Sequence, residues 1–157
     1  MTGFTIRPGR ADDAGPVSEL ALRSKGHWGY SEEFLEACRD ELTYSEADCL
    51  SGDLHVAESG SVLAGFFLLT GVAPDGEVQA IFVDPPWIGR GLGGLLITRA
   101  LDLARSRGIT RVSVDSDPGA EPFYLHHGAR RVGEVPSGSI PGRVLPQLVF
   151  ELTRPGS

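Results

Sequence analysis

Four glycines fall within six residues at Gly89-Arg90-Gly91-Leu92-Gly93-Gly94, between a strand-like run and a helix-like one. The run Glu77–Val83 alternates as a strand, Asp84-Pro85-Pro86 redirects the chain, and helical spacing follows from about Gly91. Glycines let an anion approach backbone N–H groups without meeting a Cβ. A helix N-terminus adds unpaired N–H donors and a partial positive charge. The segment is therefore a phosphate-binding turn, or else a strand-to-helix turn whose glycines serve close packing.

The surrounding periodicities set the fold class. Phe4 and Ile6 alternate with polar neighbours as a strand. Asp12 and Asp13 suit a helix start, and Val17, Leu20, Ala21 and Ser24 then keep helical spacing. Ser31 is an N-cap before Glu32, Glu33, Phe34, Leu35 and Cys38, which predicts a second helix. Leu54–Glu58, Val62–Thr70 and Glu77–Val83 read as a meander with turns at Ser59-Gly60-Ser61 and Pro74-Asp75-Gly76. The long helix to Arg107 carries the stripe Leu92, Leu95, Leu96, Ala100, Leu103. A strand over Arg111–Asp115, a helix over Pro118–His127, and strands over Arg131–Val135 and Leu145–Leu152 complete the chain. The order β-α-α-β-β-β-α-β-α-β-β predicts an α/β fold with a mixed sheet, as one domain over residues 1–157.

Three phosphate-loop types compete for the glycine segment. A Walker A loop needs Gly-Lys-Ser or Gly-Lys-Thr, and Gly94-Leu95-Leu96 has neither. Gly89, Gly91 and Gly94 satisfy a dinucleotide GxGxxG, and Asp115 stands near where a ribose-binding acid belongs. That fingerprint follows its strand directly, however, whereas Asp84 to Ile88 intervene here. The third type is the acyl-CoA turn. Val83-Asp84-Pro85-Pro86-Trp87-Ile88-Gly89-Arg90-Gly91-Leu92-Gly93 resembles the Gln/Arg-x-x-Gly-x-Gly/Ala motif of the GNAT (GCN5-related) N-acetyltransferase superfamily, after a strand ending in Val-x-Pro. Gly91 and Gly93 match its small positions. Ile88 stands where Gln or Arg is usual, and Arg90 can in part take over. Downstream, Phe123-Tyr124-Leu125-His126-His127-Gly128-Ala129 is similar to the family's Phe-Tyr-x-x-x-Gly-Ala/Phe helix.

The resemblance implies an acetyl-CoA-dependent N-acetyltransferase of GNAT-like fold. It implies that the backbone of Ile88, Gly89, Arg90, Gly91, Leu92, Gly93 and Gly94 holds the pyrophosphate, and that Ile81, Phe82 and Val83 bind the pantetheine arm. Direct transfer to a primary amine needs a base and an acid. Glu77, at the start of the strand leading to the turn, is the candidate base; its alternative is a solvent-facing Glu beside a turn. Tyr124 matches the family's tyrosine and is the candidate acid, since a phenol near pKa ~10 is protonated at neutral pH; its alternative is a core tyrosine. The segment between the first two helices often lines the acceptor pocket, which makes His27, Trp28 and Tyr30 candidates for substrate contact. A hydrophobic staple around the Ser31 cap is the other reading of those aromatics. The expected acceptor is a small-molecule amine. A protein lysine or N-terminal acetyltransferase and a non-catalytic acyl-CoA-binding module are the alternatives, and the resemblance leaves a homodimer open.

Bulk composition narrows the partners. Fourteen Lys plus Arg against 21 Asp plus Glu give a net charge of -7, with no basic run, which argues against nucleic acid. Cys38 and Cys49 form no CxxC pair, so a metal site or disulfide framework is not expected, and buried thiols are. Met1 to Arg10 has no apolar core of signal-peptide length, and Val62–Leu69 is too short to span a bilayer. The expectation is a cytoplasmic protein without a membrane partner.

Overall fold

The structure is a computed structural model and describes residues 3–27, 29–137 and 140–152. The strands are β1 (Thr5–Pro8), β2 (Leu54–Ser59), β3 (Val62–Val72), β4 (Asp75–Val83), β5 (Arg111–Asp115), β6 (Arg130–Pro136) and β7 (Val144–Glu151). The helices are α1 (Ala14–Gly26), α2 (Glu32–Cys38), α3 (Glu46–Leu50), α4 (Leu92–Ser106) and α5 (Glu121–His126). The strands belong to one mixed sheet in the order β1-β2-β3-β4-β5-β7-β6, which bears out the expected fold class. Contacts gather the chain into two units, Met1–Leu68 with Ala80–Leu96, and Leu69–Gln79 with Ile97–Ser157. No helix among the described residues is long and apolar enough to cross a membrane.

In the first unit, β1 and β2 pair antiparallel from Thr5↔Glu58 to Pro8↔His55. β2 pairs antiparallel with β3, with a register shift between Ala57 and Glu58. Val17, Leu20, Ala21 and Ser24 of α1 are buried, as their spacing predicted. Val17, Leu20 and Ala21 join Cys38, Tyr44, Cys49, Val56 and Phe66 around one core. Both cysteines are free and buried. Ser31 caps α2, its Oγ accepting from the Phe34 N–H at 3.1 Å. Helix α3 is absent from the sequence expectation. It is opened by a reciprocal box in which Ser45 Oγ accepts from Asp48 N–H at 3.0 Å and Ser45 N–H donates to Asp48 Oδ2 at 2.8 Å. A five-residue helix carries too few periods to announce itself by spacing, although Ser45-x-x-Asp48 was the available sign.

The C-terminal end of β4 is held tightly in this unit. Asp84 N–H donates to the Ala64 carbonyl at 2.8 Å. The buried Asp84 carboxylate accepts from Arg23 Nε and Nη2, both at 3.0 Å. Beside it, a Cβ at Gly65 would lie 2.7 Å from the Phe82 carbonyl oxygen and within 3.2 Å of Leu92 and Leu96 side-chain carbons. A side chain there has nowhere to go, so glycine at 65 sets how closely β3 approaches the strand end.

The second unit begins with the β3–β4 tip. β4 runs parallel to β5 through Asp75↔Arg111, Gly76↔Val112 and Glu77↔Ser113. The strand thus starts two residues before the expected Glu77, because Asp75 and Gly76 already pair instead of forming a turn. β5 pairs antiparallel with β7 from Arg111↔Glu151 to Asp115↔Gln147, and β7 pairs with β6. The apolar stripe of α4 is rotated from expectation. Leu92, Leu96, Ile97, Ala100, Leu101 and Ala104 are buried, while Leu95 and Leu103 are only half-buried. The expected helix over Pro118–His127 divides into a 3-10 turn, Pro118–Ala120, and α5.

The Gly65 contact makes a stability prediction. Gly65→Ala should destabilise by about 1–3 kcal/mol, because the Phe82 backbone must shift to admit the methyl. A urea melt checks it; an unchanged midpoint would mean that this approach is not tight.

Candidate functional site

The phosphate turn lies in the first unit. A 3-10 turn, Pro85–Trp87, leaves the anchored Asp84, and Ile88 is extended at φ -66 and ψ 141. Gly89 and Gly91 then take φ of 84 and 80, a conformation that costs an L side chain about 1–2 kcal/mol. A Cβ built on either would meet nothing within 4 Å. Conformation therefore calls for glycine here, and the side where a methyl would point is open to an approaching anion. The first hydrogen bond of α4 runs from Leu95 N–H to the Gly91 carbonyl at 3.2 Å. The N–H groups of Leu92, Gly93 and Gly94 precede that ladder and carry the positive end of a 15-residue helix. These features fit a pyrophosphate. Ile88 is 41% exposed and offers no donor, whereas the exposed Arg90 guanidinium lies 5.1 Å from the Trp87 ring centroid.

Ile81, Phe82 and Val83, at the end of β4, are half-buried. The β4–β5 register ends at Glu77↔Ser113, while β4 itself continues from Val78 to Val83. Along β4, Gly76, Val78 and Ala80 are buried and Glu77, Gln79 and Ile81 are not, so the period-two face expected for Glu77 is present.

Glu77 and Tyr124 both belong to the second unit. Burial raises the Glu77 carboxyl above its usual 4.5, and the Asp115 charge adds to that rise. A hydrogen bond with Gln79 pulls the other way. Asp115 is itself met by the Gln147 amide, Nε2 to Oδ1 at 3.4 Å. Tyr124 is buried in α5, with Phe123 and Phe150 edge-on at 5.2 and 6.4 Å. Burial pushes its phenol well above 10, with a further push from Asp117, so the hydroxyl is protonated through the neutral range.

The acceptor candidates are less gathered. His27 is exposed and caps α1, its N–H donating to the Arg23 carbonyl at 3.1 Å. Tyr30 stacks on Phe34 at 4.2 Å and 15°, with Lys25 Nζ 5.5 Å from its centroid. That stacking fits the helix-entry reading of Tyr30. Trp28 lies outside the described residues. His127, next to His126, has its imidazole pKa lowered by burial and then by that neighbour. No group of three or more His, Cys, Asp or Glu among the described residues could hold a metal ion.

The sequence pattern of the GNAT acetyltransferase family matches residues 22–129. The chain belongs to the GNAT family. Among curated relatives, it is 38% identical over 78 residues to the mycothiol acetyltransferase of Beutenbergia cavernae, covering 48% of this chain and 26% of that protein. It is 30% identical over 113 residues to glucosamine 6-phosphate N-acetyltransferase 1 of Oryza sativa subsp. japonica, covering 72% and 64%. It thus spans less than two thirds of either relative. Among solved structures, a GCN5-related N-acetyltransferase from Rhodopseudomonas palustris aligns with a TM-score of 0.81 at 28% identity, over 97% of this chain and 98% of that one. The PaiA N-acetyltransferase of Thermoplasma acidophilum, in complex with coenzyme A, shares the fold, with a TM-score of 0.75 at 19% identity over 95% and 99%.

Sequence reasoning gave no role to Arg23 and Asp84, to Trp87, or to Asp115 and Gln147 as neighbours of the Glu77 region. Arg23 meets Asp84 and Asp115 meets Gln147 across long sequence separations, and Trp87 meets the distant Phe4 as well as the nearby Arg90.

The raised Glu77 carboxyl can be measured directly. A carbon-13 NMR titration, assigned with Glu77→Gln, should show a midpoint above 4.5, and Asp115→Asn should lower it by removing a like charge. A midpoint unmoved by Asp115→Asn would leave burial as the sole cause.

Proposed function

We propose that this GNAT protein transfers an acetyl group from acetyl-CoA to the primary amine of a small molecule by direct attack. A C–N bond forms and a C–S bond breaks, the amine releases one proton, and the departing sulfur takes one. The turn before α4 carries this reading: two left-handed glycines, open on the Cβ side, lead into N–H groups that precede the first helical hydrogen bond. An anion of pyrophosphate chemistry suits that turn. Family membership supports the acetyl donor. The relative named for glucosamine 6-phosphate supports a small acceptor, since that sugar bears one primary amine.

In this reading Glu77 receives the proton of the attacking amine. Its raised pKa makes it a better base than an ordinary carboxylate, and it works once ionised, so activity rises as pH climbs through that pKa. Tyr124 supplies the hydrogen-bond donor for the departing sulfur, a role that its protonated state suits. Backbone groups of Ile81–Val83 hold the pantetheine arm, and the turn from Ile88 to Gly94 holds the phosphates. On the acceptor side, the exposed His27 is the described candidate for contact with the amine.

Calorimetry of the purified protein with acetyl-CoA, with NAD as the control ligand, comes first. The expected result is micromolar binding of acetyl-CoA and none of NAD. A panel of small amines and peptides then follows. Glu77→Gln and Tyr124→Phe should each lower kcat by roughly 100-fold, with the acetyl-CoA affinity held within about twofold. Absence of acetyl-CoA binding sinks the reading. Binding without turnover of any acceptor makes the protein a sensor, and turnover of peptides alone makes it protein-directed.

A further inference from the structure

We infer that Trp87, braced by Phe4, is a positioning residue that holds the Arg90 guanidinium at the phosphate turn, where this cation supplies the contact that Ile88 lacks. The inference rests on the reading that the turn binds acetyl-CoA. Arg90 Cζ lies 5.1 Å from the Trp87 ring centroid, within cation–π reach. The same indole meets Phe4 edge-on, centroids 5.7 Å apart and planes at 78°. Both aromatic rings are half-buried, and Trp87 is tied to the strand end by its N–H, which donates to the Asp84 carbonyl at 2.8 Å. The indole is therefore a fixed plate, and Arg90 rests on it between the two left-handed glycines.

Three physical points follow from that arrangement. First, among the described residues no carboxylate forms an ion pair with Arg90, so its charge is not already neutralised. Second, a guanidinium held over an indole can still present N–H groups, and its planar fork matches a phosphate in bidentate fashion. A lysine in its place would keep the charge and lose the planar fork. Third, an unrestrained surface arginine loses rotamer freedom when it grips an anion, and a stacked one has lost much of it on folding. Trp87 thus favours phosphate binding without touching phosphate.

The test is a double-mutant cycle on acetyl-CoA affinity, read by calorimetry with Trp87→Ala, Arg90→Leu and the pair. Arg90 is exposed, so Arg90→Leu leaves the fold intact and anchors the cycle. Each single change should weaken binding about five- to tenfold, and the pair should be no weaker than Arg90→Leu alone. Trp87→Phe should recover part of the loss, since a benzene ring holds a cation less well than indole. If Trp87→Ala weakens binding as much in the Arg90→Leu background as in the wild type, the indole acts by packing alone and the proposal falls. If either single change leaves the affinity untouched, it falls as well. In both cases the wild-type protein still binds acetyl-CoA, and the reading of the turn survives. A wild-type protein that does not bind acetyl-CoA overturns both.

Discussion

The bidentate pair between Arg23 and Asp84 fixes the point from which the glycine turn is hung. Asp84 closes β4 and is buried, so its carboxylate needs a partner. Arg23 reaches it from α1, which is itself seated in the core by Val17, Leu20 and Ala21. Loss of one member of a fully buried ion pair costs about 3–5 kcal/mol, and the half-exposed Arg23 side chain puts this pair well below that range. Its importance is geometric. A turn that offers backbone N–H groups to an anion is useful only if those groups do not move. The Asp84–Ala64 hydrogen bond, the close approach at Gly65 and the Trp87 N–H bond to Asp84 all fix the same few residues. The left-handed glycines follow a rigid foundation and hold a path that a residue with a Cβ would take only with strain.

This foundation explains what the sequence could reveal. The order of strands and long helices was legible because each carries several periods of its own pattern, as in Val17-Leu20-Ala21-Ser24 or the Gly76-to-Ile81 alternation. Elements with one period or less were not. Helix α3 was missed, and Asp75-Gly76 reads locally as a turn although Arg111 and Val112 recruit it into a strand. The rotated stripe of α4 has the same origin. Its sequence is apolar on more than half its circumference, so Leu95 and Leu103 compete with Ile97, Leu101 and Ala104, and packing decides between them.

The candidate site divides along the same line. The turn was legible because glycine is a local requirement, written at the residue where the backbone bends. Tyr124 and Glu77 were found through resemblance, since a lone carboxylate and a lone phenol have no local signature. What tunes them, burial first and then Asp115 for the one and Asp117 for the other, was out of reach of periodicity because it depends on packing and on distances between strands and loops.

Those environments bear on how the two groups would share the chemistry proposed. Burial shifts both pKa values upward, so both neutral forms are favoured. For Glu77 the shift strengthens the base and narrows the pH range in which it is ionised. For Tyr124 it secures the proton and makes it harder to release. A thiolate whose thiol has the ordinary pKa of about 8.5 would not take a proton from a phenol well above 10. In the proposed reaction Tyr124 would therefore contribute chiefly as a hydrogen-bond donor to the charge growing on sulfur, where a preorganised donor is worth roughly 3 kcal/mol. Complete transfer becomes favourable only as far as apolar surroundings raise the thiolate's own proton affinity as well. The burial that makes Tyr124 a poor acid in water is the same condition under which a leaving thiolate most needs its hydroxyl.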